Sequence, residues 1–217
     1  VMLKKTIMDN KLIYFDNAAT SKPLPEVIKT YIEASEFSFA NPSSVHTLGA
    51  ESNHKINIVR NEILKLFKLN NHEVIFTSGA TESNNLAIKG IANRYKKSGN
   101  HIITSVIEHP SVLNVFKELE NQGYKVSYIP VDDKGMLDLN AFKQALNKDT
   151  ILVSIMAVNN EVGTIMPIKE ISQIIKQNSR AFFHIDAVQA VGKIILDYNL
   201  CDLLTVSLHK LGGLKRN

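Results

Sequence analysis

The sequence predicts an α/β fold: a three-layer α/β/α domain built on a mostly parallel sheet. Two observations predict it. From about residue 73 onward, short runs rich in Val, Ile, Leu and Phe alternate with longer amphipathic stretches, the pattern of strands joined by crossover helices. The runs are also nearly continuously apolar, as strands covered on both faces are.

Taken in order, Tyr14–Thr20 (YFDNAAT) is a short β-like segment running into a polar turn. Pro23 and Pro25 then precede a helical stretch over about 26–36. Asn41-Pro42-Ser43-Ser44 is a turn cluster, and a long helical pattern follows over about 46–69. The candidate strands are Glu73–Thr77, His101–Thr104, Lys125–Ile129, Ile151–Met156, Ala181–Ile185 and Asp202–Val206. Helices are expected between them, near 81–97, 111–122, 138–147 and 168–178. There is no internal repeat and no low-complexity segment.

Composition narrows the function classes. The 217 residues are 44% apolar and 21% charged, an ordinary globular balance. No apolar run reaches the roughly 18 residues of a membrane span. The opening VMLKKTIMDNK lacks an apolar stretch and a small-residue cleavage site, so no secretion signal is expected. The single cysteine, Cys201, excludes an internal disulfide and suits the reducing cytoplasm. The net charge of +4 is spread over lysines scattered among acids. Without a basic stripe, no nucleic-acid surface is expected. No metal site is expected either.

Ligands of open parallel sheets bind beyond the carboxyl ends of the strands, so the residues after each run matter most. After Glu73–Thr77 comes Ser78-Gly79-Ala80-Thr81, a small-residue turn opening a helix. Its backbone N–H groups and hydroxyls suit a phosphate, and they equally suit a plain helix cap. After the next run stands His109, placed to stack on a planar group and move protons, or simply to pack. Asn159-Asn160-Glu161 follows Ile151–Met156 and reads as a polar site or a tight turn. Asp186 follows a strongly apolar run. A partly desolvated acid there needs a cationic or hydrogen-bonding partner, such as a protonated pyridine nitrogen, unless it caps the next helix. Last come Ser207, His209 and Lys210. Lysine is the side chain that forms a Schiff base with an aldehyde cofactor, and Ser207 and His209 beside it suit a phosphate.

With these residues in this order, the chain resembles the class V aminotransferase superfamily, and within it the cysteine desulfurases. The matching stretches are YFDNAAT, NPSSVHTLGA, IFTSGATESNNLAIKG, HIITSVIEHPSVL, DTILVSIMAVNNEVGTIMPI, FFHIDAVQAVGKI and SLHK. The resemblance implies pyridoxal 5'-phosphate as cofactor, with Lys210 forming the Schiff base and Asp186 pairing with the ring nitrogen. It implies that Gln189 meets the ring's phenolic oxygen and that His109 stacks on the ring as an acid/base group. Ala80, Thr81, Ser207 and His209 would bind the phosphate, and Asn160 would lie by the ring and the substrate's carboxylate end. Lys210 and His109 are the implied catalytic residues.

The implied reaction takes sulfur from L-cysteine, leaving alanine and an enzyme persulfide for a sulfur-acceptor or iron–sulfur scaffold protein. A homodimer is implied as well. Residues 1–20 would lead into the site, and residues 21–217 would form part of the large cofactor-binding domain. The small C-terminal domain and the family's nucleophilic cysteine loop are expected to be absent, so the chain is expected to be a truncated member of the family with its activity compromised. Leu211-Gly212-Gly213 begins the family's glycine-rich turn, and Leu214-Lys215-Arg216-Asn217 leaves it. Cys201, at the entry of a strand, reads as a packed residue and not as that nucleophile. Two alternatives stand beside the desulfurase: another cofactor-dependent lyase, such as selenocysteine lyase, and an inactive cofactor- or partner-binding chain.

Overall fold

The computed structural model describes residues 13–215. Three helices come first: α1 (Pro25–Phe37), α2 (Thr47–Leu66) and α3 (Ala80–Tyr95). Strand and helix then alternate: β1 (His101–Ser105), α4 (Pro110–Asn121), β2 (Lys125–Ile129), α5 (Leu139–Ala145), β3 (Thr150–Met156), α6 (Ile168–Asn178) and β4 (Phe182–Asp186). The chain closes with β5 (Leu203–Thr205), set between single 3-10 turns at Tyr198–Leu200 and Leu208–Lys210.

The strands form one sheet in the order β2-β1-β3-β4-β5, and every neighbouring pair is parallel. Their register brings the carboxyl ends level. Ser105 pairs with Ile129, Met156 with Asp186, and Asp186 with Thr205. Every loop that leaves a strand end therefore opens at one edge of the sheet.

Two apolar layers cover the faces, which makes the architecture α/β/α as expected. Neighbouring strand residues point to opposite sides. Ile102 and Leu152 pack with Ile88 and Ala92 of α3 and with Val112, Phe116 and Leu119 of α4. Ile103, Val153 and Ile185 pack with Phe142 of α5 and with Ile168, Ile171 and Ile175 of α6. α5 starts at Asp138, whose carboxylate accepts from the N–H groups of Asn140 and Ala141 at 2.9 Å each.

Several sequence expectations change. Glu73–Thr77 is not a strand: it pairs with no described segment, and Ile75 and Phe76 stand 66% and 50% exposed. Its composition is that of a strand, but a strand requires a ladder partner. The segment's entry is instead tied to the start of β5, where His72 Nε2 lies 3.2 Å from the Cys201 carbonyl oxygen. Tyr14–Thr20 keeps its polar turn and forms no strand. The second helix ends at Leu66 because Lys68 adopts a left-handed backbone (φ 56°), which stops the helix short of residue 69. The opening residues 1–12 and the tail residues Arg216 and Asn217, with the expectations placed on them, lie outside the described residues. Among the described residues, no helix is long and apolar enough to cross a membrane.

Candidate active site

Asp186 ends β4 and is 5% exposed. Its two oxygens are held separately: Oδ1 accepts from the Val188 N–H at 3.0 Å and Oδ2 from Asn84 Nδ2 at 2.9 Å. The same Asn84 nitrogen reaches Ser111 Oγ at 2.9 Å. By its place in the sequence Asp186 suits either a helix cap or a partnered acid. The bond to Val188 is cap-like, while the bond from Asn84 ties the carboxylate to an element far away in sequence.

His109 caps α4, with Pro110 at the first helical position, where a missing N–H does no harm. Its Nδ1 accepts from the Ser111 N–H at 3.1 Å and lies 2.8 Å from Ser111 Oγ. A ring nitrogen that accepts a backbone N–H carries no hydrogen, so the neutral imidazole has its hydrogen on Nε2.

Lys210 sits half-buried in the 3-10 turn after β5, and Ser207, 4% exposed, opens that turn. Burial, helped by the Lys193 ammonium, holds the Lys210 amine below the ordinary lysine range, while Asp186 and Asp16 pull the other way. Burial and the neighbouring Lys210 likewise lower His209. A strap from the N-terminal segment fastens this turn. Ser21 N and Oγ donate to the His209 carbonyl at 3.0 and 2.9 Å, and Gly212 N donates to Ser21 Oγ at 2.8 Å. His209 Nδ1 lies 3.1 Å from Thr20 Oγ1. Gln189, 8% exposed, donates from Nε2 to the Ala18 carbonyl at 2.9 Å and accepts Lys193 Nζ at 2.8 Å.

At the start of α3, Gly79 is the cap and the Ser83 N–H bond to its carbonyl is the first helical one (3.0 Å). The N–H groups of Ala80 and Thr81 precede that bond and have no partner within the helix. Glu82 folds back on Ser78, accepting its N–H at 2.5 Å and its hydroxyl at 2.6 Å, so a carboxylate stands at the mouth of this turn.

Not every expected residue is joined to this constellation. Asn160 is half-buried beyond β3, and its side chain makes no hydrogen bond among the described residues. Its neighbour Asn159 shapes the turn, accepting the N–H groups of Glu161 and Val162 at 2.9 and 3.0 Å. Cys201 lies in the main apolar cluster, and burial pushes its thiol up to about 12. A thiol so protonated is no nucleophile at neutral pH.

Other members of the site escaped the sequence reading. Glu108 is 4% exposed, and its Oε1 accepts Ser105 Oγ at 2.6 Å and Met156 N at 3.0 Å. Burial, with Asp186 nearby, pushes it up to about 8 despite those two bonds, so it is mostly neutral at pH 7. His184 is wholly buried between Ser154 Oγ (2.8 Å) and Thr205 Oγ1 (2.9 Å), and burial lowers it to about 4. Asn84, Ser111 and Lys193 complete the set. The signal available for Glu108 was its place beside His109 at a strand end. For Asn84 it was a polar residue at helical spacing from the apolar Ile88 and Ala92.

Known proteins share this fold and much of this sequence. The family model described as "Aminotransferase class-V" matches residues 13–215. A NifS/IcsS protein homolog of Lactobacillus delbrueckii is 48% identical over 93% of this chain and 53% of its own. The cysteine desulfurase IscS of Methanosarcina thermophila is 46% identical over 95% of this chain and 52% of its own. Among solved structures, a NifS-like protein superposes with a TM-score of 0.90 at 39% identity, covering 94% of this chain and 57% of that one. The structure titled "SspA in complex with cysteine" gives 0.87 at 36% identity, covering 94% and 59%. The chain thus spans about half the length of the curated relatives it matches. With the family model running over all of the described residues and the fold in agreement, the chain belongs to the class-V aminotransferase family.

Proposed function

We propose that this chain carries the pyridoxal-phosphate site of a cysteine desulfurase. One observation carries the reading: a buried carboxylate, Asp186, and an amine held below its ordinary range, Lys210, share one edge of the sheet and each other's field. The relatives' names and the solved complex of one neighbour with cysteine support the substrate.

The residues fit the parts of such a cofactor. A buried carboxylate is costly unless a cation or donor faces it, and a protonated ring nitrogen is both. The free N–H groups opening α3, the Thr81 and Ser207 hydroxyls and the His209 imidazole suit a phosphate dianion. Glu82 must then turn away from Ser78, because two anions would otherwise share that turn. Gln189 can meet the phenolic oxygen once its Nε2 leaves the Ala18 carbonyl. Asn160 would lie by the ring and the substrate's carboxylate end.

The cofactor, when bound, supplies an electron sink for charge developing at the substrate's α-carbon. The chain's own residues do the rest. Lys210, its amine held below the ordinary lysine range, would hold the cofactor's aldehyde group and take up or return a proton at Nζ. Asp186 would hold the ring nitrogen as the partner of its proton, and His109, with its hydrogen on Nε2, would hold the ring and serve as an acid/base group. L-cysteine would lose its sulfur to a thiolate other than Cys201, giving alanine and a persulfide. A sulfur-acceptor or iron–sulfur scaffold protein would take that sulfur, in the cytoplasm and from a homodimer.

A second reading, an inactive partner-binding chain, draws on α1, which buries no residue and exposes Tyr31, Ile32 and Phe37. Visible absorption separates the two. Adding pyridoxal phosphate to the purified chain should give a band that Lys210→Ala abolishes and that L-cysteine shifts. L-selenocysteine in its place tests the lyase alternative. A folded chain without a lysine-dependent band would refute the proposal.

A further inference from the structure

Two site residues on different elements are held by one buried amide. Asn84 lies inside α3 and is fully buried. Asparagine disfavours helix interiors, and burying an amide is costly unless it is bonded. An apolar side chain would pack there at less cost, so the reason for the amide lies in its partners. Its Nδ2 is 2.9 Å from Asp186 Oδ2 and 2.9 Å from Ser111 Oγ. A carboxylate only accepts, so the NH2 end faces Asp186 and one hydrogen goes to each partner. Ser111 Oγ accepts from Asn84, which leaves its own hydrogen for His109 Nδ1 at 2.8 Å. Every hydrogen from Asp186 to His109 is thereby assigned.

We propose that Asn84 is a positioning residue for the cofactor site: it fixes the Asp186 carboxylate for the ring nitrogen and, through Ser111, turns a second donor onto His109 Nδ1 beside the Ser111 backbone N–H. The inference rests on the reading of the site as a pyridoxal-phosphate site. A charge-assisted bond holds one Asp186 oxygen in place. The same amide orients the hydroxyl that joins the Ser111 backbone N–H at His109 Nδ1. One residue thus prepares the group at the ring's edge and the group on its face.

Two measurements test this on the whole chain, with circular dichroism confirming that each variant folds. With 15N-labelled pyridoxal phosphate bound, the ring-nitrogen signal should be that of a pyridinium in the unsubstituted chain and in Ser111→Ala. In Asn84→Ala it should move toward the unprotonated pyridine, with cofactor binding about tenfold weaker, as loss of one charge-assisted hydrogen bond predicts. In the cofactor-free chain, long-range 1H–15N histidine spectra should place the His109 hydrogen on Nε2. Asn84→Asp should leave it there and shift the Nδ1 resonance toward that of a less hydrogen-bonded ring nitrogen, because the introduced carboxylate accepts the Ser111 hydrogen and leaves Nδ1 only the backbone N–H. An unchanged signal on substituting Asn84 in either measurement overturns the inference. If the unsubstituted chain binds no pyridoxal phosphate, the functional reading fails, and the histidine spectra then decide the inference alone.

Discussion

Replacing Glu108 with glutamine should stabilise the chain at alkaline pH and leave it nearly unchanged in acid. The carboxyl is wholly buried and its pKa rises from 4.5 to about 8, with burial the first cause and Asp186 adding to it. For an acid raised in the folded state, the unfolded chain loses its proton first. Stability is then fully present below pH 4.5 and falls as pH climbs through 8. At about 1.36 kcal/mol per pH unit, the full penalty is about 5 kcal/mol, with about 1 present at pH 5 and about 4 at pH 8. Glutamine keeps the acceptor for Ser105 Oγ and Met156 N. It also matches the carboxyl in shape and cannot ionise. Oε2 has no hydrogen-bond partner among the described residues, so an NH2 in its place breaks no bond seen there. Urea unfolding of both chains at pH 5, 6.5 and 8 gives the difference directly. The variant should gain on the parent by about 3 kcal/mol between the extremes. A difference independent of pH, or a parent more stable at pH 8, would refute a neutral Glu108.

His184 should give the opposite pH dependence. Its folded pKa is lowered to about 4, so its contribution is present above pH 6.5 and lost as pH falls toward 4 while the unfolded imidazole takes up a proton. His184→Gln should therefore flatten the acid side of the stability profile, and an unchanged acid midpoint in thermal melts between pH 4 and 7 would count against a buried neutral imidazole. Ile171→Ala removes a fully buried side chain of α6 from the larger apolar cluster and should cost about 2–5 kcal/mol in denaturant unfolding. A loss under about 1 kcal/mol would mean that α6 does not seal that face of the sheet.

The sheet was legible in the sequence wherever burial on both faces left a continuous apolar run. Lys125–Ile129 keeps its expected limits, while the run expected at Ala181–Ile185 shifts by one residue, to Phe182–Asp186. That shift matters, because it makes Asp186 the last rung of the ladder, paired with Met156 and Thr205, and not the first loop residue. Glu73–Thr77 failed for the complementary reason: apolar β-branched content is a local property, and pairing is not. His109, Asp186 and Lys210 could be picked out because a parallel sheet delivers every strand end to one edge, and chemistry-bearing residues at that edge stand out.

The residues that hold those three in place obey no such rule. Asn84 and Asn85 are adjacent in sequence, yet a helix turns about 100° between them. Asn85 faces out and bonds the Thr81 carbonyl, while Asn84 is sealed against Asp186. In the sequence they are two asparagines near the start of a helix, where side chains ordinarily meet water or the helix's own backbone. Only the crossover from α3 through β1 to α4, and the arrival of β4 beside them, gives one of the pair a carboxylate to donate to. Glu108 follows the same logic. A glutamate in the turn before a helix reads as solvated until Ser105 and the Met156 N–H close over it. Groups that act on a ligand can thus be found from where strands end. Groups that act on those groups are fixed by contacts between segments that no local pattern joins, and their chemistry becomes readable only with the fold.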